Sequence, residues 1–340
     1  MSGPAAPDHT QVLDSFSPET YDPADDWPPP TGRMKPPKPP RPPKPPRRPP
    51  LPPAELAPLT TTQALIRSVA AVLAGLLLMF VLQLAVLSHL QHFAAQQRLL
   101  DTFRAELQAG TAPVSEGDFE DHLLPDGAPV ALLSIPSLGV EEVVVEGTSA
   151  AELAGGPGHR RDTVLPGQAG VSVIMGRAAA YGGPFGGIQR LVPGDEITVR
   201  TGQGLQEFEV IGLRYAGDPT PPAPKRGESR MILQTARGAP FVPSGIAYVD
   251  AQATSAAQPT GARQTTTLTL PPEHAALATD TTTVWALVFA LQFLLVAEVG
   301  AVWSFRRVGA QKTWIVFVPV LLLGGLLVAD QVARLLPNLL

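Results

Sequence analysis

The chain has 340 residues, a formal net charge of −5, 39 prolines and no cysteine. Without a thiol, disulfides, thiolate zinc sites, iron–sulfur clusters and a cysteine nucleophile are excluded. The acidic balance also argues against a nucleic-acid partner, which asks for a basic surface. Only 16% of residues are charged and the mean hydropathy is +0.12, so the chain does not read as a uniform soluble globule.

Residues 1–66 read as a disordered cytoplasmic tail, first acidic and then basic. Asp8, Asp14, Glu19, Asp22, Asp25 and Asp26 precede any Lys or Arg. The following strip is built around Lys35-Pro-Pro-Lys38-Pro-Pro-Arg41-Pro-Pro-Lys44-Pro-Pro-Arg47-Arg48. Proline lacks the N–H that helix and sheet need, so a polyproline-II spacer is expected. A cation at every third residue lines one edge of that helix. The edge suits either a solvated stiff linker or a docking strip for a cytoplasmic partner or anionic lipid headgroups.

Within 67–89, residues 68–88 carry no charge. At ~1.5 Å per residue this run spans about 30 Å, a bilayer's hydrocarbon thickness. A long polar stretch precedes it and no small-x-small cleavage site follows, so it reads as a signal anchor rather than a cleaved signal peptide. The basic flank before it predicts a cytoplasmic N-terminus at the plasma membrane. Residues 90–126 then form an expected extracellular helical stalk, with Phe93, Leu99, Leu100, Phe103 and Leu107 at helical spacing.

Residues 127–251 carry the pattern of a folded domain. Short β-rich runs at 130–135, 140–145, 171–175, 196–201, 207–215, 230–235 and 247–251 are separated by Gly/Pro turns. Short strands at this spacing predict a closed barrel or a sandwich, mainly β and exported. Residues 252–282, rich in Thr, Ala and Pro, read as a flexible tether. Two further apolar runs, 283–305 and 313–332, flank a basic loop at 306–312 and precede a short tail at 333–340. The loop's Arg306, Arg307 and Lys312 place it in the cytoplasm, and Trp285, Trp303 and Trp314 fall at headgroup level. Glu298 lies inside the second run, about 12 Å from Arg306 at helical rise, and reads as a packing or interaction residue.

The motifs of the β-domain follow a recognisable order. Leu133-Ser-Ile-Pro-Ser-Leu-Gly139, Gly156-Pro-Gly-His159, Leu165-Pro-Gly-Gln168 and Val173-Ile-Met-Gly176 come first. Tyr181-Gly-Gly-Pro-Phe185, Leu191-Val-Pro-Gly-Asp-Glu-Ile197 and Leu233-Gln-Thr235 follow. This succession resembles the sortase family, most closely the actinobacterial class E type. The resemblance implies an eight-stranded β-barrel and a membrane-anchored transpeptidase that cuts a Leu-Pro-x-Thr-Gly-like sorting signal. It also implies a cysteine nucleophile, a histidine that protonates the leaving amine and an arginine that steadies the oxyanion.

At those three positions the chain has other residues. The histidine position is Arg177, the cysteine position is Ala236, and the arginine position falls near Ile246, with no Arg between Arg237 and Arg263. Ala236 has no nucleophilic atom, and an arginine cannot shuttle a proton at physiological pH. Thr235 and Ser244 offer hydroxyls but need a general base. Arg177, Arg237, Thr235 and Tyr181 are therefore the candidate groove residues. The two arginines suit a carboxylate or an anionic wall polymer, or else stand solvated or paired with acids. His159 reads as a structural residue of its turn, the Gly-Gly-Pro-Phe-Gly-Gly run at 182–187 is no phosphate loop, and the scattered histidines suggest neither metal nor cofactor. The expected function is a sortase-like pseudoenzyme that binds or scaffolds in cell-surface protein sorting or cell-wall assembly. Its expected partners are the membrane, a sorting-signal peptide, a cell-wall component or an active sortase. The alternative is a Ser/Thr-dependent transpeptidase or hydrolase of sorting-signal peptides.

Overall fold

The computed structural model describes residues 60–117 and 122–340; the acidic head and the proline strip expected within 1–59 lie outside them. Helix α1 (Thr61–Leu82) opens with a capping box, in which Thr60 Oγ1 accepts the Gln63 N–H and the Gln63 side chain accepts the Thr60 N–H. Leu73, Leu77 and Leu78 all point outward, as on a helix whose solvent is lipid. A π-turn at Gln83–Leu87 leads without a break into α2 (Ser88–Ala109), which stops at Gly110 in the left-handed region. A one-turn helix, α3 (Glu152–Gly155), lies in the middle of the chain. Among the described residues, the continuous run Thr61–Ala109, α4 (Val284–Val308) and α5 (Ala310–Arg334) are three helices long and apolar enough to cross a membrane.

These helices pack on one another. Ala290, Leu294 and Val328 form a small core against Leu76. Gly325 faces Met79, where an added Cβ would stand 3.3 Å away, so a small residue lets α1 and α5 approach. Glu298 lines an apolar cavity of about 280 Å³ between α1, α4 and α5. At the barrel end of the bundle the π-turn presents Gln83, whose Nε2 donates to Asp330 Oδ1 (3.1 Å) and Gln91 Oε1 (3.2 Å). Arg334 closes that cluster on Asp330 Oδ2 at 3.0 Å.

Eight strands close into a barrel: β1 (Pro129–Ile135), β2 (Val140–Glu146), β3 (Gly158–His159), β4 (Gly170–Met175), β5 (Glu196–Thr201), β6 (Gly204–Tyr215), β7 (Ser229–Ala239) and β8 (Val242–Ala253). The order around the barrel is β1-β2-β3-β4-β7-β8-β6-β5, with β5 pairing back on β1. The β2–β3 and β4–β7 pairs are parallel and the rest antiparallel. Alternation sets the faces: along β6, Gln206, Phe208 and Val210 are buried while Glu207 and Glu209 are exposed. Leu133, Ile174, Phe208, Met231 and Val249 meet in the interior core.

Two connections depart from the sequence expectation. Helix α2 is more than a stalk, because Gln96 completes the edge of β2. Its Oε1 accepts the Val143 N–H at 2.7 Å, and its Nε2 donates to the carbonyls of Val143 and Gly155. The segment after β8, expected as a flexible tether, is instead laid along the barrel. Gln258 exchanges main-chain bonds with Gly167 and Ala169, Thr267 donates to Asp162, and the N–H groups of Gln264 and Thr265 donate to the Glu116 carboxylate. The physical reason is local: Glu116 supplies acceptors that Thr/Ala/Pro composition does not reveal.

Candidate functional site on the outer barrel face

The β7–β8 hairpin decides which residues meet. Its two-residue turn, Pro240-Phe241, holds Phe241 at φ 62°, a conformation usually left to glycine. From there the strands pair almost continuously, so that Ala236 and Ile246 are direct cross-strand partners. The positions that the family resemblance assigns to cysteine and arginine thus sit side by side. Neighbouring residues of a strand point to opposite faces. Ala236 lies in an outer-face cluster with Leu153, Val173, Met175 and Ile246. Thr235 faces the other way, fully buried, and its hydroxyl donates to the Gly176 carbonyl at 2.9 Å.

The histidine position follows the end of β4. Gly176 must lack a side chain there, since an added Cβ would stand 2.5 Å from the Phe185 ring. Arg177 itself is 0% exposed. Its Nε donates to the Leu153 carbonyl (3.2 Å), one terminal nitrogen to Ala150 O (2.8 Å) and the other to Leu340 O (3.0 Å). The guanidinium carbon stands 4.8 Å from the Tyr181 ring centroid. Burial lowers the Arg177 pKa to about 10, which still leaves the group cationic near neutrality. The expectation of Arg177 as an accessible groove residue is therefore corrected: the side chain is sealed by three main-chain oxygens and reaches no solvent.

The remaining candidates separate in space. Tyr181 is buried at φ 51°, its N–H donates to Ser88 Oγ, and burial pushes its phenol up, with Asp330 a lesser cause. Arg237 is exposed and stacks on Tyr215 at 4.0 Å from the ring centroid. Ser244 is exposed and its hydroxyl donates to the Arg237 carbonyl at 3.3 Å. His159 bonds Glu146 through Nδ1 (2.9 Å) and the Val164 carbonyl through Nε2 (2.8 Å), which uses both ring nitrogens to hold its turn.

Sequence reasoning missed the most intimate neighbours of this site. Leu339 and Leu340 complete the cluster over Ala236 and are 0% and 3% exposed. The segment after β8, a strap laid along the barrel, also packs Ala276 and Leu277 against this cluster. No local signal pointed to either segment, because each reaches the site from far along the chain.

Residues 133–269 match the family model described as Sortase domain. The barrel has a sortase fold. Similar solved structures include a Clostridium perfringens Sortase D5 transpeptidase, at 21% identity over 48% of this chain and 99% of that one, with a TM-score of 0.39. Sortase E from Streptomyces avermitilis is similar at 28% identity over 39% of this chain and 91% of that one, with a TM-score of 0.34. Sortase E1 from Streptomyces coelicolor, solved with a tripeptide in the active site, follows at 26%, 38%, 91% and 0.33. Comparison with curated proteins gives no match. In this sortase-like barrel the candidate groove is the outer face of β4, β7 and β8, and residues 335–340 reach it from the end of α5.

Proposed function

We propose that the protein is a membrane-anchored, sortase-like module of class E type that acts by binding rather than by transpeptidation. Its place is cell-surface protein sorting or cell-wall assembly, either capturing sorting signals or wall components or scaffolding an active sortase. The barrel would face the outside, with the N-terminal tail in the cytoplasm.

One observation carries the reading. Ala236 and Ile246 stand opposite each other where the resemblance calls for a thiol and an arginine, beside an Arg177 whose donors are engaged by main-chain carbonyls. Nothing in that arrangement supplies a nucleophile or a proton donor of suitable pKa. The Ser/Thr alternative finds no support either. The hydroxyls of Thr235 and Ser244 both donate to carbonyls, and neither bonds a general base.

The test is incubation of the full chain with a sorting-signal peptide and an amine acceptor. No cleavage is expected, and T235A and S244A should change nothing. Turnover that either substitution abolishes would replace the binding reading with an enzymatic one.

A further inference from the structure

Residues 335–340 leave α5 and seat on the barrel's outer face as a turn, closed by the Leu340 N–H donating to the Pro337 carbonyl at 3.0 Å. Main-chain bonds fix the path: the Ala178 N–H donates to the Leu339 carbonyl and the Asn338 N–H to the Ala278 carbonyl, each at 2.9 Å. Asn338 is 0% exposed, and its Nδ2 donates to Thr148 O (2.7 Å) and Ala275 O (2.9 Å). Leu339 and Leu340 then fill the apolar cluster over Ala236. Main-chain bonds and a buried amide fix the turn in place, and two leucine side chains fill the apolar cluster beneath it.

The docking is also incomplete. Asn338 Oδ1 is buried without a hydrogen-bond partner. An unpaired buried amide oxygen weakens the seated state. The seat is occupied because the segment is joined to α5, which keeps its local concentration high.

We propose that residues 335–340 are a resident, exchangeable ligand of the outer groove over Ala236. The ligand class is a short Leu-Pro-Asn-Leu-Leu segment, held by an amide at the third position and two leucines after it. The proposal rests on the binding reading above and names what the groove binds.

The chain has no cysteine, so the single thiol of A236C reports on the groove alone. In phospholipid vesicles, maleimide labelling of A236C should be slow while the segment is seated. Adding L339D and L340D should speed labelling at least tenfold. The synthetic hexapeptide Leu-Leu-Pro-Asn-Leu-Leu at millimolar concentration should then restore protection, and the same peptide with Asp in place of Asn should not. Should the double substitution disturb folding, a protease site inserted between Arg334 and Leu335 releases the segment from an already folded chain. Dilution after the cut should then expose the thiol, and the hexapeptide should protect it again.

Equal labelling before and after release would overturn the proposal. So would exposure that the hexapeptide cannot reverse, because the segment would then be a fixed structural element. Turnover in the sorting-signal assay would sink the binding reading and leave the labelling result standing, so the two failures are distinguishable.

Discussion

The inside of the barrel and its outer groove are built from different kinds of neighbour. Inside, Leu133, Phe208, Met231 and Val249 come from strands that the alternating pattern and the β-ladder bring together. Outside, Ala236 and Arg177 are covered by residues 339–340, and the Arg177–Leu340 contact spans 163 positions of sequence. The interior is part of the cooperative unit and cannot be lost piecemeal. The cover over Ala236 arrives on a segment that has its own anchor in the α4–α5 pair. That difference sets how each should respond to substitution.

The largest effect is expected inside. Phe208 is 1% exposed, and Phe208→Ala should destabilise the barrel by about 3–5 kcal/mol through lost contacts and a residual cavity. Leu339→Ala removes a side chain that is equally buried. Its cost to the barrel is capped by the free energy of seating the segment, so the unfolding free energy should fall by no more than about 1–2 kcal/mol, the scale of a seating equilibrium of tenfold or somewhat more. Thermal unfolding of both variants followed by circular dichroism makes the comparison. Equal losses would mean that the cover belongs to the core.

Arg177 sits on the border between the two regions and should respond between these limits. Lysine keeps the charge but cannot reach three separate carbonyls with a planar fork. Arg177→Lys should leave at least one of Ala150 O, Leu153 O and Leu340 O unpaired, at about 1–3 kcal/mol. Part of that loss should appear as faster labelling of an A236C thiol in the same background. A lysine variant with wild-type stability and wild-type protection would show that the three bonds hold nothing in place.

How much of this was legible follows the same division. The β-branched runs announced seven of the eight strands because a period of two needs only four or five residues to show. Strand β3 spans Gly158–His159, too short to have a period. The β7–β8 hairpin continues to Ala239 and Val242, past the expected ends near Thr235 and Ala247. Its tip contains Gly238, Pro240, Pro243 and Gly245, which read as loop although a bulge accommodates them. The replaced positions Arg177, Ala236 and Ile246 were visible as residues. Their environment was not, because the burial of Arg177 depends on a segment that reads only as a short tail after an apolar run.

The smallest effect concerns the strap rather than the groove, and pH should reveal it. Burial alone would raise the Glu116 carboxyl, but hydrogen bonds from Thr265 and Gln264, with Arg263 nearby, outweigh it and hold the pKa below the ordinary 4.5. The folded value lies below the unfolded one, so as pH falls the unfolded chain takes up its proton first. Stability from this carboxylate is therefore fully present above pH 4.5 and drains away as pH drops toward and through the folded value. Glu116→Gln keeps a carbonyl acceptor but no charge, so it should lower stability near neutrality by about 1 kcal/mol. It should also flatten the acid limb of the stability profile. The strap's own reporter is hydrogen exchange at the Thr265 N–H, which donates to both Glu116 oxygens at 3.0 and 3.1 Å. Protection there should fall on acidification in the native chain and be nearly independent of pH in the glutamine variant, once intrinsic exchange rates are divided out. Matching acid profiles for the two chains would mean that the strap is held by its main-chain contacts at Gln258 and owes nothing to Glu116.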